Sequence, residues 1–269
     1  MLFVTFALLI SFSSFASPLD SFATSTYSSL VAVSHPLKAV SIQLCPTSAC
    51  STNWGGYAVT GSSGSVTDVK GSWIVPSVTC TKRGSTYAAL WVGIDGFSSG
   101  TVEQTGVLMH CANGRASYSA WYEFYPAGSV TISGFSIAPR NKISAEVSYS
   151  SGTGEFTTTI TNVNTGKAYS TSSLVGGAQE SSGEWITERP EVCTILSCKL
   201  TTLSNFGIAD FGTGYTSVPN TNYATVNGIT GPISSFTNVA ITMVSSTGST
   251  LALPSSLSSG GTSFTMQYH

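Results

Sequence analysis

Short runs of alternating apolar and polar residues recur along this chain every 8 to 15 positions, and no window carries a convincing 3.6-residue apolar period. The runs fall at 54–60, 66–75, 87–95, 101–109, 117–125, 142–150, 155–163, 184–188, 204–211, 237–245 and 263–268, with Gly, Ser, Asn and Pro between them. A period of two sends successive side chains to opposite faces of a strand. Ser151-Gly152-Thr153-Gly154 and Asn164-Thr165-Gly166 read as hairpin turns. About a dozen antiparallel strands in one domain require two stacked sheets or a barrel, and no internal repeat points to a propeller.

Only 8% of the residues are charged, whereas 82 of 269 are Ser or Thr. An average soluble protein has roughly 25% charged residues. The net charge is −2, so no basic surplus exists to neutralise phosphates, and nucleic acid is not an expected partner. At pH 2–3, with carboxylates protonated, ten Lys and Arg plus three His leave about +13. Self-repulsion drives acid unfolding, and this composition weakens it. Adaptation to acid competes here with a plainer reading, a Ser- and Thr-rich surface inherited without reference to pH.

Residues 1–16, MLFVTFALLISFSSFA, read as a signal peptide: Leu2 to Ile10 is apolar but too short to span a membrane, and Ser14-Phe15-Ala16 supplies small residues for cleavage. Its first residues carry no Lys or Arg. No apolar stretch of 18 residues follows, so no membrane association is expected after processing. Six cysteines behind such a leader favour disulfides. Cys45–Cys50 and Cys193–Cys198 are natural local pairs, leaving Cys80–Cys111, among fifteen possible pairings. No C-x-x-C occurs and only His110 lies near a cysteine in the body, so a zinc site is not expected, and no cofactor is expected. Residues 17–50 hold Pro18, Pro36 and Pro46 and no Trp; they read as a leader, propeptide or linker ahead of a packed domain at 51–269. A secreted monomer is the expected product.

The two-residue period also sorts the chemistry. Trp121, Glu123 and Tyr125 share one face of their strand; Trp91, Gly93 and Asp95 share one face of theirs, opposite Leu90, Val92 and Ile94. Two strands thus pair a Trp with a carboxyl in a chain of only twelve acids. Glu184 faces away from Trp185, and Gln104 lies in Val102-Glu103-Gln104-Thr105-Gly106. Carboxyls beside aromatic rings suit a groove for an extended polymer, peptide or glycan; ordinary Trp packing under a solvated sheet face is the competing reading.

Several chemistries drop out. His35 lies in the leader, His269 ends the sequence and His110 stands alone, so no serine nucleophile has its base. The G-x-S-x-G elbow, the paired Asp-Thr/Ser-Gly loops and H-E-x-x-H are all absent. A glycoside hydrolase with two acids remains, or a peptidase using a glutamate and a polar oxyanion partner.

Five motifs occur in order: Asn53-Trp54-Gly55-Gly56; Trp91-Val92-Gly93-Ile94-Asp95-Gly96; Gln104-Thr105-Gly106; Tyr118 through Pro126; and Gly183-Glu184-Trp185-Ile186-Thr187-Glu188. Together, over roughly 52–190, they resemble the glutamic peptidases, or eqolisins. That resemblance implies a β-sandwich of two antiparallel sheets, of the concanavalin A-like lectin and glucanase type. It implies a metal-free endopeptidase secreted to acidic surroundings, acting on protein or peptide substrates. It also implies that Gln104 and Glu184 are catalytic, with Trp54, Trp91, Asp95, Glu123 and Tyr125 around them in the groove. Two positions depart from the family pattern: Ser119 and Leu108 stand where typical members carry acids. A glycan-binding or glycoside-hydrolysing sandwich is the alternative, because Trp and Glu on one face serve sugar stacking equally well.

Overall fold

The computed structural model describes residues 32–34, 45, 48–194 and 197–269. The signal-peptide reading of 1–16 and most of the 17–50 segment lie outside the described residues. In chain order the strands are β1 (Ala32–Ser34), β2 (Ala49–Ser51), β3 (Trp54–Thr60), β4 (Val66–Ile74), β5 (Ser85–Ile94), β6 (Val102–Ala112) and β7 (Arg115–Tyr125). Then come β8 (Val130–Thr131), β9 (Lys142–Ser150), β10 (Glu155–Asn162), β11 (Lys167–Leu174), β12 (Ser182–Glu188), β13 (Glu191–Cys193), β14 (Cys198–Leu200) and β15 (Ile208–Phe211). The last are β16 (Tyr223–Val226), β17 (Ile229–Pro232), β18 (Asn238–Val244), β19 (Thr250–Pro254) and β20 (Phe264–Tyr268). One α-helical turn, Thr213–Thr216, interrupts them.

The pairings give two faces of an all-β sandwich. One sheet runs β2-β18-β3-β12-β5-β6-β7-β8. The other runs β11-β10-β9-β4, and β4 continues to β15 and β16. The ladder returns through β15-β20-β19 to β18. All of these pairs are antiparallel except β2 with β18, which is parallel and carries Ala49 and Cys50 into the main ladder. A separate three-stranded sheet, β1-β13-β14, lies just past the end of β12.

Leu90, Val92 and Ile94 of β5, Val107 and Met109 of β6, Ala120 and Phe124 of β7 and Trp185 of β12 point into the space between the sheets. There they meet Val69 and Trp73 of β4, Ile143 and Val147 of β9, and Phe156 and Ile160 of β10. This is the core expected from alternation. The opposite face of the first sheet carries a second apolar cluster of Trp54, Ala58, Ala89, Trp91, Val102, Trp121, Ile186 and Ile241. All three cysteine pairs expected from the sequence are bonded: Cys45–Cys50, Cys80–Cys111 and Cys193–Cys198.

The weakest sequence signal belongs to β11, whose Lys167-Ala168-Tyr169-Ser170-Thr171-Ser172-Ser173-Leu174 has almost no apolar alternation. It is an edge strand held by hydroxyls: Thr157 with Ser172 at 2.8 Å and Thr159 with Ser170 at 2.9 Å. Cross-strand hydroxyl pairs support a ladder without burying hydrocarbon, and a hydrophobic period cannot report them.

Candidate active site

The site face follows from strand register. Glu184 of β12 stands opposite Ala58 on one side and Gly93 of β5 on the other. Gly93 stands opposite Gln104 of β6, and Gln104 opposite Glu123 of β7. The row therefore reads Ala58–Glu184–Gly93–Gln104–Glu123, all on the face that bears Trp91 and Trp121. Adjacent strands lie about 4.8 Å apart, so the Glu184 and Gln104 backbones are separated by roughly 10 Å. Gly93 lies between them and has no side chain, so none rises from β5 between the two functional groups at that station. A Cβ on Gly93 would lie 3.2 Å from Gln104 Cβ and 3.0 Å from the Trp91 ring. Next to this row runs Gly56–Ile186–Trp91–Gly106–Trp121. A Cβ at Gly106 would come 2.5 Å from Trp91 Cβ, so glycine there lets the indole lie across the sheet.

Glu184, Gln104 and Glu123 are each fully buried in the chain. Burial holds the Glu184 proton on well above the ordinary glutamate range, and the neighbouring carboxyls of Asp95 and Glu103 act in the same direction. The Ser182 hydroxyl and the Phe97 backbone N–H oppose the shift without closing full hydrogen bonds to either carboxyl oxygen. Gln104 Nε2 donates to Glu123 Oε2 at 2.8 Å. Gln104 Oε1 is buried and accepts no hydrogen bond from the described residues.

The remaining predicted residues divide. Trp54 and Trp91 pack edge to face, with ring centroids 4.7 Å apart, and the Trp91 indole N–H donates to Glu188 at 2.7 Å. Tyr125 is half-buried against the same cluster. Asp95 is differently employed. Its backbone takes a positive φ of 69° just past β5. Its carboxylate accepts from the backbone N–H groups of Gln179, Glu180 and Ser181 at 2.7–3.0 Å and from the Ser181 hydroxyl at 3.1 Å. It clamps the loop leading into Glu184 and has little acceptor capacity left for a ligand.

Sequence reasoning assigned no role to two residues of the site face and to one buried acid on the inward side of the same sheet. Glu188 lies four positions beyond Glu184, hence on the same face, and also accepts from Asn53 Nδ2 at 3.2 Å; the two-residue period could have found it. Gly93 had been placed on the correct face, but its station between Glu184 and Gln104 depends on register. Glu103 points the other way from Gln104, and burial, with Asp95 and Glu180 nearby, pushes its pKa up to about 9. Leu108 and Ser119, noted separately as departures from the family pattern, are direct cross-strand partners. The missing acids are thus one pair.

The arrangement offers a carboxyl and an amide across a bare floor. It does not offer two facing carboxyls: Glu184 and Glu123 are three strand steps apart, about 14 Å between backbones, with Gln104 interposed. Among the described residues no group of three His, Cys, Asp or Glu gathers as a metal would require.

Comparison with known proteins places these features in context. A model of the Peptidase A4 family matches residues 52–268. Aspergillopepsin-2 of Aspergillus niger is 32% identical over 163 residues, covering 51% of this chain and 56% of the relative. Scytalidopepsin B of Scytalidium lignicola is 34% identical over 147 residues, covering 53% of each. The chain thus spans about half the length of the curated relatives it matches. Among solved structures, scytalido-glutamic peptidase with a transition state analog inhibitor superposes with a TM-score of 0.68 at 24% identity, over 81% of this chain and 98% of that one. Aspergilloglutamic peptidase from Aspergillus niger gives 0.57 at 29% identity, over 68% and 99%.

Proposed function

The chain belongs to the Peptidase A4 family, and from that premise we propose that it is a glutamic endopeptidase in which Glu184 and Gln104 hydrolyse peptide bonds with one water. The carrying observation is the row in which only Gly93 separates the carboxyl from the amide. A water above Gly93 is within the reach of both groups. Ionised Glu184 takes a proton from it as it attacks the peptide carbonyl carbon. Gln104 Oε1, which has no hydrogen-bond partner among the described residues, accepts the water's other O–H. The amide N–H not given to Glu123 donates to the developing oxyanion. Protonated Glu184 then returns its proton to the leaving nitrogen, the C–N bond breaks, and one water has been consumed for one acid and one amine.

Trp54, Trp91 and Tyr125 wall the groove, Glu123 stands behind Gln104, and Asp95 holds the loop at its end. Proteins and peptides are the substrates in this reading. Secretion into acidic surroundings is part of the proposal, supported by three disulfides, by sparse charge and by buried carboxyls that favour their protonated forms.

The test is cleavage of casein and of β-glucans across pH 2–8. Casein should be cut and glucan left intact. Glu184→Gln should abolish cleavage with the fold retained, because an amide cannot shuttle the proton. Gln104→Ala should lower kcat by on the order of 10²–10³, the usual loss for one oxyanion donor. Near-normal turnover by Glu184→Gln overturns the reading, and glucan cleavage that depends on Glu123 would replace it.

A further inference from the structure

Beyond the two groups assigned to chemistry, we infer that Glu123 is a positioning residue: it decides which end of the Gln104 side chain faces the reacting atoms. This rests on the reading of Gln104 and Glu184 above. A primary amide has a donor end and an acceptor end of nearly equal shape, and rotation by half a turn exchanges them. In the proposed reaction that exchange matters. One orientation presents Oε1 for the water and keeps one N–H for the oxyanion; the other turns the oxygen toward β7 and removes the water's acceptor.

Three observations bear on the choice. Gln104 and Glu123 are direct partners in the β6–β7 ladder, so their side chains rise side by side from the same face. The contact between them is Nε2 to Oε2 at 2.8 Å, and both residues are fully buried, so water does not compete for it. On the other flank of Gln104 the neighbour is Gly93, which has no side chain to hold the amide. Orientation is therefore set from the Glu123 side. A carboxyl oxygen that accepts from Nε2, as Oε2 does here, holds the N–H end and loses that bond if the amide reverses. Glu123 does this without touching the water or the peptide, three strand steps from Glu184.

The assignment separates from a substrate-binding role by the kinetic constant that moves. The assay is steady-state hydrolysis of a quenched-fluorescent casein peptide by the full chain and by Glu123→Leu, Glu123→Gln, Gln104→Ala and the double variant Gln104→Ala/Glu123→Leu. Leucine removes the acceptor, and kcat should fall by on the order of tenfold to a hundredfold, the scale of a misplaced catalytic group, with KM within about twofold. Glutamine restores an acceptor of the same shape but can also donate, so Glu123→Gln should recover most of the loss and stay within about threefold of the parent. The double variant should be no slower than Gln104→Ala alone, because Glu123 acts only through that amide. Normal kcat in Glu123→Leu, a loss confined to KM, or an undiminished Glu123→Leu effect in the absence of Gln104 would each overturn the proposal. If the leucine variant does not fold, Glu123→Gln decides: kcat more than tenfold below the parent, with unchanged melting temperature, refutes an orienting role. Should Gln104→Ala and Glu184→Gln themselves turn over normally, the dyad reading falls and not this step alone.

Discussion

Glu103 gives the most direct physical test of why such a fold would suit acid. Its carboxyl is buried on the inward side of β6, with Asp95 and Glu180 near it and only the Thr101 hydroxyl and its own backbone N–H opposing the shift. In the folded chain it holds its proton up to about pH 9, against 4.5 for the free side chain. The folded state therefore binds more protons than the unfolded state between those values, and stability must fall as pH rises through them. Its contribution is fully present below about 4.5 and lost progressively toward 9. At pH 7 the gap is 2.5 pH units above the unfolded value, which at 1.36 kcal/mol per unit is about 3 kcal/mol. For a domain of this size that corresponds to roughly 6–12 °C in Tm. Glu103→Gln removes the titration while keeping the shape. Thermal unfolding by calorimetry, disulfides intact, should give parent and variant nearly equal Tm at pH 4 and a variant higher by about that amount at pH 7. Asp68, raised to about 7 by burial and by Glu146, and Glu184 act with the same sign, so the parent curve should descend throughout this range. A parent Tm that rises from pH 4 to 7, or a Glu103→Gln curve parallel to it, would refute the reasoning.

Other outcomes follow from the site. Gly93→Ala should fold but lose most of kcat, because its methyl intrudes 3.2 Å from Gln104 Cβ in the reaction space; circular dichroism and peptide turnover together check this. Trp91→Phe deletes the indole donor to Glu188 and should cost about 1.5–3 kcal/mol in denaturant unfolding. Asp95→Ala should free the 179–181 loop, read as faster hydrogen exchange at those three amides, with the β5–β6 ladder still protected. The ascending limb of kcat against pH should lie above the ordinary glutamate range, since burial holds the Glu184 proton on and the base must be ionised to act.

Alternation carried most of the fold. Leu90, Val92 and Ile94 had to share a face, and they fill the core; Trp121 and Glu123 had to share the other, and they do. What alternation cannot carry is lateral order. Nothing in the run around Trp91 says that β12 lies on one side of β5 and β6 on the other, so the station of Gly93 between Glu184 and Gln104 had no local signature. The same holds for Leu108 and Ser119, eleven positions apart in sequence and opposite one another in space. Asp95 was legible as a groove acid by facing, but the loop that takes up its acceptors comes from more than eighty residues away. Strands such as β11, supported by hydroxyl pairs and turn geometry, leave no hydrophobic trace for sequence reasoning to follow.

The hydroxyl ladder between β10 and β11 bears on how the molecule behaves as a colloid. Its exposed face is sewn by Thr157–Ser172 and Thr159–Ser170, groups that neither titrate between pH 2 and 9 nor attract counterions. The hydroxyl pairs themselves give salt nothing to screen and acid nothing to remove, although Glu155 shares their face and Glu146 beside them pairs with Lys70 at 3.3 Å. Hydration of these alcohols adds to solubility a contribution that does not change with the charge of the molecule. Such a surface should pass through the isoelectric point, near 5.9 for this sequence, without the precipitation common where charge alone keeps molecules apart.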